Sequence, residues 1–237
     1  MAATKTRAKK PATVPAPAPV PAPVSGTAKN RDGETERRIL SAARTVFIRR
    51  GSGGARMQEI AAEAGVNQAL LHYYFGTKDR LSLAVFRESA AKLFPGILRI
   101  LSSDATIETR VEQVVHHYID TLRAHPFLPG FVLGEMNFNP GRMVSLASEM
   151  ASLGVPDAPR RALAALGRDL AHRAKRGDFR PVTADQFMVN LASLCVFPFA
   201  ARPMLAHLLG IDDDGWERFL NVRRAELPQQ ILNTLRP

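Results

Sequence analysis

The chain has 237 residues, 46% of them hydrophobic and 23% charged, with a formal net charge of +10 and one cysteine, Cys195. That length and composition suit a folded chain of one or two domains with a real core. A single cysteine excludes an internal disulfide framework. The charge is uneven: residues 1–80 hold 14 Lys and Arg against 6 Asp and Glu, a net of +8, while residues 81–237 carry only +2. One end therefore seeks a polyanion, either nucleic acid or an anionic membrane surface, and the rest does not. The longest uncharged apolar stretch, Leu191 to Ala201, has 11 residues and contains Pro198; a spanning helix needs roughly 20. The Lys-containing start runs into Pro and Ala and does not read as a secretory signal, so a cytoplasmic location is expected.

Residues 1–30 alternate Pro and Ala among Lys5, Arg7, Lys9 and Lys10. They read as a disordered basic tail, or as an arm adding phosphate contacts. From Glu34 onward the periodic segments read as helix. In 34–50 the apolar residues Ile39, Leu40, Ala43, Val46 and Phe47 recur at helical spacing, acids open the segment, Arg49 and Arg50 close it, and Gly51 stops it. The run Gly51-Ser-Gly-Gly54 follows a helix and lacks a Gly-Lys-Ser/Thr ending, so it reads as a turn and not a phosphate loop. Further helices are expected at 78–94, 105–124, 127–136, 142–153, 158–176, 184–199, 201–210 and 213–235. Asp157 and Thr183 look like N-caps, Gly177 and Gly210 like stops, and Pro228 is expected to kink or break the last helix. No period-2 strand of useful length and no internal repeat appears. The fold class is all-α.

The informative stretch runs from Met57 to Tyr74. Met57, Ile60, Ala61 and Ala64 form one apolar face at i, i+3, i+4 and i+7. Gly65 follows where a left-handed turn is needed, and Val66, Leu71, Tyr74 and Phe75 supply a second short face. Two helices crossing steeply over a tight turn need these residue types. With Leu71, Tyr74 and Phe75 turned inward, the helical wheel puts Ala69, His72 and Tyr73 outward, flanked by Gln68 and Leu70. These groups offer amide, imidazole, phenol and apolar contacts, which base edges and thymine methyls can use. Thr77 can cap the next helix, and Lys78 with the free backbone N–H groups can clamp a phosphate.

Three segments, Glu36-Arg-Arg-Ile-Leu-Ser-Ala-Ala, Gln58-Glu-Ile-Ala-Ala-Glu-Ala-Gly-Val-Asn67 and Leu71-His-Tyr-Tyr-Phe-Gly-Thr-Lys-Asp-Arg-Leu81, resemble the N-terminal signature of the TetR family of bacterial regulators. The resemblance implies a three-helix helix-turn-helix DNA-binding domain over 31–80. It also implies a helical bundle over 81–237 for effector binding and dimerisation. Arg56, Gln58 and Asn67 join Gln68, Ala69, Leu70, His72, Tyr73, Thr77 and Lys78 as candidate DNA contacts, and the family's lysine matching Lys78 touches the DNA backbone. The chain departs from the family at Ala55-Arg56, where a hydroxyl residue usually opens the second helix, and at Leu70, where threonine is common. The implied function is a repressor, released from a palindromic double-stranded DNA operator by a small-molecule effector and acting as a homodimer. No cofactor, metal, membrane or enzymatic role is expected.

In the second part, Phe187–Leu209 is the best candidate for a subunit interface, through Leu191, Leu194, Val196, Phe197, Phe199, Met204, Leu205 and Leu208. A core helix is the rival reading. His116 and His117 are adjacent and point about 100° apart on a helix, so they cannot easily share one metal. His117, Phe131 and Met136 are candidates to line an effector cavity between helices, with core packing the favoured role for any one of them. Cys195 lies in the apolar run Leu191–Phe197 and reads as a buried, inert thiol.

Overall fold

The computed structural model describes residues 28–142, 144–145 and 157–237. The tail expected at 1–30 lies outside it up to residue 27, as does nearly all of the helix expected at 142–153. In chain order the helices are α1 (Ala28–Gly54), α2 (Met57–Glu63), α3 (Gln68–Phe75), α4 (Lys78–Leu101), α5 (Ile107–Ala124), α6 (Leu128–Phe138), α7 (Ala158–Lys175), α8 (Ala184–Ala200), α9 (Arg202–Leu209) and α10 (Asp213–Asn233). No strand occurs among the described residues. The fold is all-α, a helix-turn-helix head joined to a helical body.

Two apolar cores organise the chain. The first joins Ile39, Ala43, Val46 and Phe47 of α1 to Ile60 and Ala61 of α2, Leu71 and Phe75 of α3, and Leu81, Val85 and Phe86 of α4. It reaches past residue 80, and α6 adds Phe131, whose ring stacks on Phe47 with centroids 6.0 Å apart. The second core fills the body around α5, which packs against α4, α8 and α10. There Val111, Val114, Val115, Ile119 and Leu122 are all buried. One long helix, α4, serves both cores, because Leu81, Val85 and Phe86 face the head while Ile97 and Leu101 face the body.

The ends of the helices follow local chemistry. Gly51 adopts φ 67 and ψ 162, interrupting α1 where a stop was expected. Gly177 and Gly210 end α7 and α9 with φ 76 and 64, a conformation that costs glycine little. Two expected caps differ. Asp157 precedes α7 in a left-handed conformation at φ 58 without a side-chain cap bond, and Thr183 precedes α8 without one. Helix α1 starts at Ala28, inside the expected tail, and α4 continues through Pro95 to Leu101.

Helix α10 runs through Pro228 and α8 through Pro198, which corrects the expectation that Pro228 breaks its helix. A helical proline leaves the carbonyl four residues earlier without its N–H partner. For Pro198 that carbonyl is Leu194 O, which accepts a bond from the Arg223 guanidinium at 2.6 Å. For Pro228 it is Arg224 O, which accepts a bond from His116 Nε2 at 3.2 Å. Each orphaned acceptor is met from the neighbouring helix, so both helices run on.

No single helix among the described residues is long and apolar enough to cross a membrane. Helices α8 and α9 pass such a test only as a pair, across a bend of 75°.

Candidate nucleic-acid interface

Helices α2 and α3 are set by the turn between them. Gly65 takes φ 62, and Val66 N–H bonds Ala61 O at 3.0 Å, closing α2 on its last turn. Asn67 then caps α3, its side-chain oxygen accepting Leu70 N–H at 2.7 Å. Leu71 and Phe75 are buried, which fixes the rotation of α3 and turns Gln68, Ala69, His72 and Tyr73 to the outside. Tyr73 is 81% exposed. Leu70 is half-buried at the edge of this face.

The outward groups are held in place. His72 Nδ1 donates to Gly76 O at 2.5 Å, so the ring presents Nε2 outward, 3.5 Å from the Gln68 amide nitrogen. The Tyr73 ring stands edge-on to Tyr74 with centroids 5.4 Å apart. Tyr74 in turn donates its hydroxyl to Asp32 at 2.9 Å, tying α3 to the start of α1. This anchor was not foreseen from sequence, because Asp32 precedes the segment read as helical.

The flanks are cationic. Arg56 is exposed at the N-terminus of α2 and makes no side-chain cap bond, and Gln58 is exposed in the helix's first turn. Arg49 and Arg50 pair with Glu63 at 2.7 Å and Glu59 at 3.5 Å, taking up the acids of α2. Thr77 caps α4 through Arg80 N–H at 3.2 Å. Lys78 is more engaged than expected: its Nζ donates to Gly53 O at 3.0 Å and Ala55 O at 3.2 Å. An ammonium has three donors, so one is left over. Lys78 thus pins α4 to the α1–α2 turn whatever else it does.

The three residues expected to line an effector cavity separate. A cavity of about 130 Å³ lies between α4, α5, α6 and α8, and Met136 reaches it. Phe131 is buried in the first core and lines a different, more open cavity with Phe47 and Phe127. His117 is half-buried, and its Nε2 donates to Leu93 O at 3.0 Å. Its ring fills the space beside Gly96, where any Cβ would lie 2.3 Å from ring atoms. Sequence reading missed Ser89 and Tyr118, two hydroxyl residues on the cavity wall. Burial pushes the Tyr118 hydroxyl up to about 12, with the nearby Cys195 adding to the shift. Cys195 is buried, and burial pushes its thiol up to about 12 as well, leaving almost no thiolate at neutral pH. Among the described residues no group of three or more His, Cys, Asp or Glu is placed to hold a metal ion.

A second unforeseen feature is Glu135 on α6, 1% exposed. Its Oε2 accepts from Ser82 at 2.8 Å, Arg142 Nε at 3.2 Å and Asn139 at 3.3 Å. Arg142 also donates to Asp79 O at 3.3 Å. The network ties α6 to the first turns of α4. The one hint in the sequence is a lone acid in the otherwise uncharged run Leu128–Phe138.

The family model described as bacterial regulatory proteins, tetR family, matches residues 39–85. The HTH-type transcriptional regulator BetI of Rhizobium meliloti is 33% identical over 100 residues, covering 42% of this chain and 48% of its own, so the match spans about half of that relative's length. The HTH-type transcriptional repressor NicS of Pseudomonas putida is 24% identical over 189 residues, covering 79% of this chain and 86% of its own. Among solved structures, the TetR family transcriptional regulator PfmR of Thermus thermophilus aligns with a TM-score of 0.54 at 16% identity, over 68% of this chain and 84% of that one. The tetR-family model thus matches the head of the chain, and the fold shared with the PfmR structure continues into the body.

Proposed function

We propose that the chain is a sequence-specific repressor, released from a palindromic operator by a small-molecule effector. The observation that carries this is the outer face of α3. A short helix exposes Gln68, His72 and an almost fully exposed Tyr73, each held by its neighbours. An exposed aromatic on a rigid helix, in the net +8 third of the chain, suits the major groove better than it suits water. Residues 31–80 are the reading head. Gln68, Ala69, Leu70, His72 and Tyr73 face the bases, while Arg56, Gln58, Asn67, Thr77 and Lys78 position the backbone.

A palindrome requires two heads, and the outer face of α8 and α9 supplies a way to join two copies. Leu191 and Phe199 are buried in the core, whereas Leu194, Phe197 and Met204 are exposed and Leu208 is 74% exposed. The inner side of Phe187–Leu209 is therefore core, and its outer side is the apolar surface offered to a second copy. Residues 81–237 then act on the head through α4, whose tilt sets how far apart the two recognition helices stand. An effector shifts that equilibrium by at most its differential affinity for the two tilts.

Selection of bound fragments from a random DNA pool tests the reading. A recovered palindrome with half-sites about one helical turn apart supports it. Equal affinity for all fragments would mean a DNA packager instead. Lys78 gives a second test. Lys78→Ala is expected to weaken binding to all DNA and to lower the slope of log K against log salt by about one unit. A weakened complex with an unchanged slope would show that Lys78 serves only the α1–α2 turn.

A further inference from the structure

The small net charge of the body, +2 over residues 81–237, hides an uneven distribution. Residues 157–180 hold seven Lys and Arg against three Asp, a net of +4, which leaves −2 for the remainder. Much of this charge rides on α7. Ala162, Leu166 and Leu170 bury one side of that helix. Helical spacing sets Arg161, Arg168, His172 and Lys175 in a line on the other side, all four exposed. The neighbouring acids are already engaged. Asp157 pairs with Arg160 at 3.8 Å, Asp169 with Arg110, and Asp178 with Arg173 at 3.0 Å and Arg176 at 3.3 Å, which leaves Arg161, Arg168 and Lys175 without an acid among the described residues. Helix stability does not account for the stripe. The helix dipole favours the cations of the last turn, but it works against Arg161, in a first turn that has no acid.

The stripe stands at the pole of the body away from the head. Arg110 donates to Leu101 O at the end of α4 at 3.2 Å and to Asp169 of α7, and Arg173 pairs with Glu108 at the start of α5 at 2.9 Å. Helix α4 has 24 residues, so that end lies about 36 Å from the head, roughly four Debye lengths at physiological salt. A duplex seated on α3 neither touches the stripe nor neutralises it. Between its cations the face carries Ala164, Ala165 and Ala171. It has no large apolar side chain to insert into a membrane, and no amide or hydroxyl to read a base edge. Small residues do let a rigid polyanion approach closely. Arg161 and Arg168, like Arg168 and Lys175, are separated by about 10.5 Å of helix, close to the roughly 12 Å width of the major groove between its phosphate rows. We propose that the outer face of α7 is a second, sequence-independent DNA-binding surface. It holds another duplex by its phosphates, so that one protein bridges two DNA segments. This goes beyond the operator reading and takes from it only that the head holds the first duplex.

A bead-bound operator fragment recovered from the random pool, saturated with the full-length protein, tests this by its capture of a second, labelled duplex of random sequence. Capture is expected at low salt. Between about 50 and 200 mM salt it should fall about 40-fold, the response of three phosphate contacts. Replacing Arg161, Arg168 and Lys175 together by Gln should lower capture by about tenfold or more. Affinity for the bead-bound fragment should stay within about twofold, since the two sites are far apart. Arg161→Lys with Arg168→Lys retains the charge and should keep most of the capture. If the triple variant also loses the fragment, Arg168→Gln alone takes its place, with an expected loss of about threefold in capture. No capture, capture unchanged in the Gln variants, or retention of phosphatidylserine vesicles or polyglutamate in preference to DNA would each overturn the proposal. If the pool yields no palindrome, a bead-bound random duplex replaces the fragment. Capture that still depends on Arg161, Arg168 and Lys175 then keeps the α7 surface while the operator reading fails. A recovered palindrome without capture of the second duplex removes only the α7 surface.

Discussion

Arg142→Ala is expected to cost about 3–5 kcal/mol of stability, because it strands the Glu135 carboxylate in the interior. Glu135 is 1% exposed, and its Oε1 has no partner among the described residues. Among the described residues all its bonds fall on Oε2, and Arg142 Nε at 3.2 Å is the only cation among them. Ser82 and Asn139 donate neutral hydrogen bonds, too weak to hold a buried charge alone. Removing the guanidinium also releases the bond to Asp79 O at the start of α4. Urea unfolding at pH 7 measures the loss. The double replacement Arg142→Met with Glu135→Leu should regain most of it, since the desolvation cost disappears with the charges. Ser82 can then turn to the carbonyl of Lys78, four residues earlier in α4. A single-variant loss below about 1 kcal/mol would mean that water reaches the carboxylate and that the network does not hold α6 against α4.

How much of the molecule is legible in its sequence depends on whether the signal is local. The α2–Gly65–α3 turn is legible because each constraint sits within a few residues: apolar positions at i, i+3 and i+4 and a glycine at φ 62; Asn67, read as a DNA contact, also caps α3. The helical wheel of α3 is legible for the same reason, and the exposed residues are those it turns outward. The fate of Pro228 is not legible. Whether a proline breaks a helix depends on who meets the orphaned carbonyl, and here the donor is His116, 108 residues away from its acceptor Arg224. The same pairing accounts for one of the two histidines that look like idle candidates for a site. The grouping of the cavity residues is likewise not local. His117 and Phe131 are the right residue types for a ligand wall, but Gly96 draws the His117 ring against α4 and Phe47 draws Phe131 into the first core. Ser89 looks like an ordinary helical serine, and only three-dimensional packing shows its hydroxyl without a partner.

Tyr73→Ala should weaken binding to the selected operator by about 1–3 kcal/mol, roughly 5- to 150-fold, while leaving binding to random DNA almost unchanged. The asymmetry follows from where the side chain stands. Tyr73 carries no charge, so it adds nothing to the phosphate term that governs nonspecific affinity. Its ring is fixed before DNA arrives by the edge contact with Tyr74, which Asp32 anchors. Little ordering entropy is therefore left to lose on binding. Gln68→Ala should behave alike. Its amide nitrogen lies 3.5 Å from His72 Nε2, a long contact that it can exchange for a base edge without leaving a strong bond behind. Tyr73→Phe separates the two parts of the tyrosine. A full loss assigns the hydroxyl as the reader, and no loss assigns the ring, packed on a thymine methyl. Asp32→Ala releases Tyr74 without touching the outer face, and should give a smaller loss than Tyr73→Ala. Titrations of each variant against operator and random duplexes at one salt concentration decide the matter. Equal losses on the two duplexes would show that the outer face of α3 grips the backbone and does not read bases.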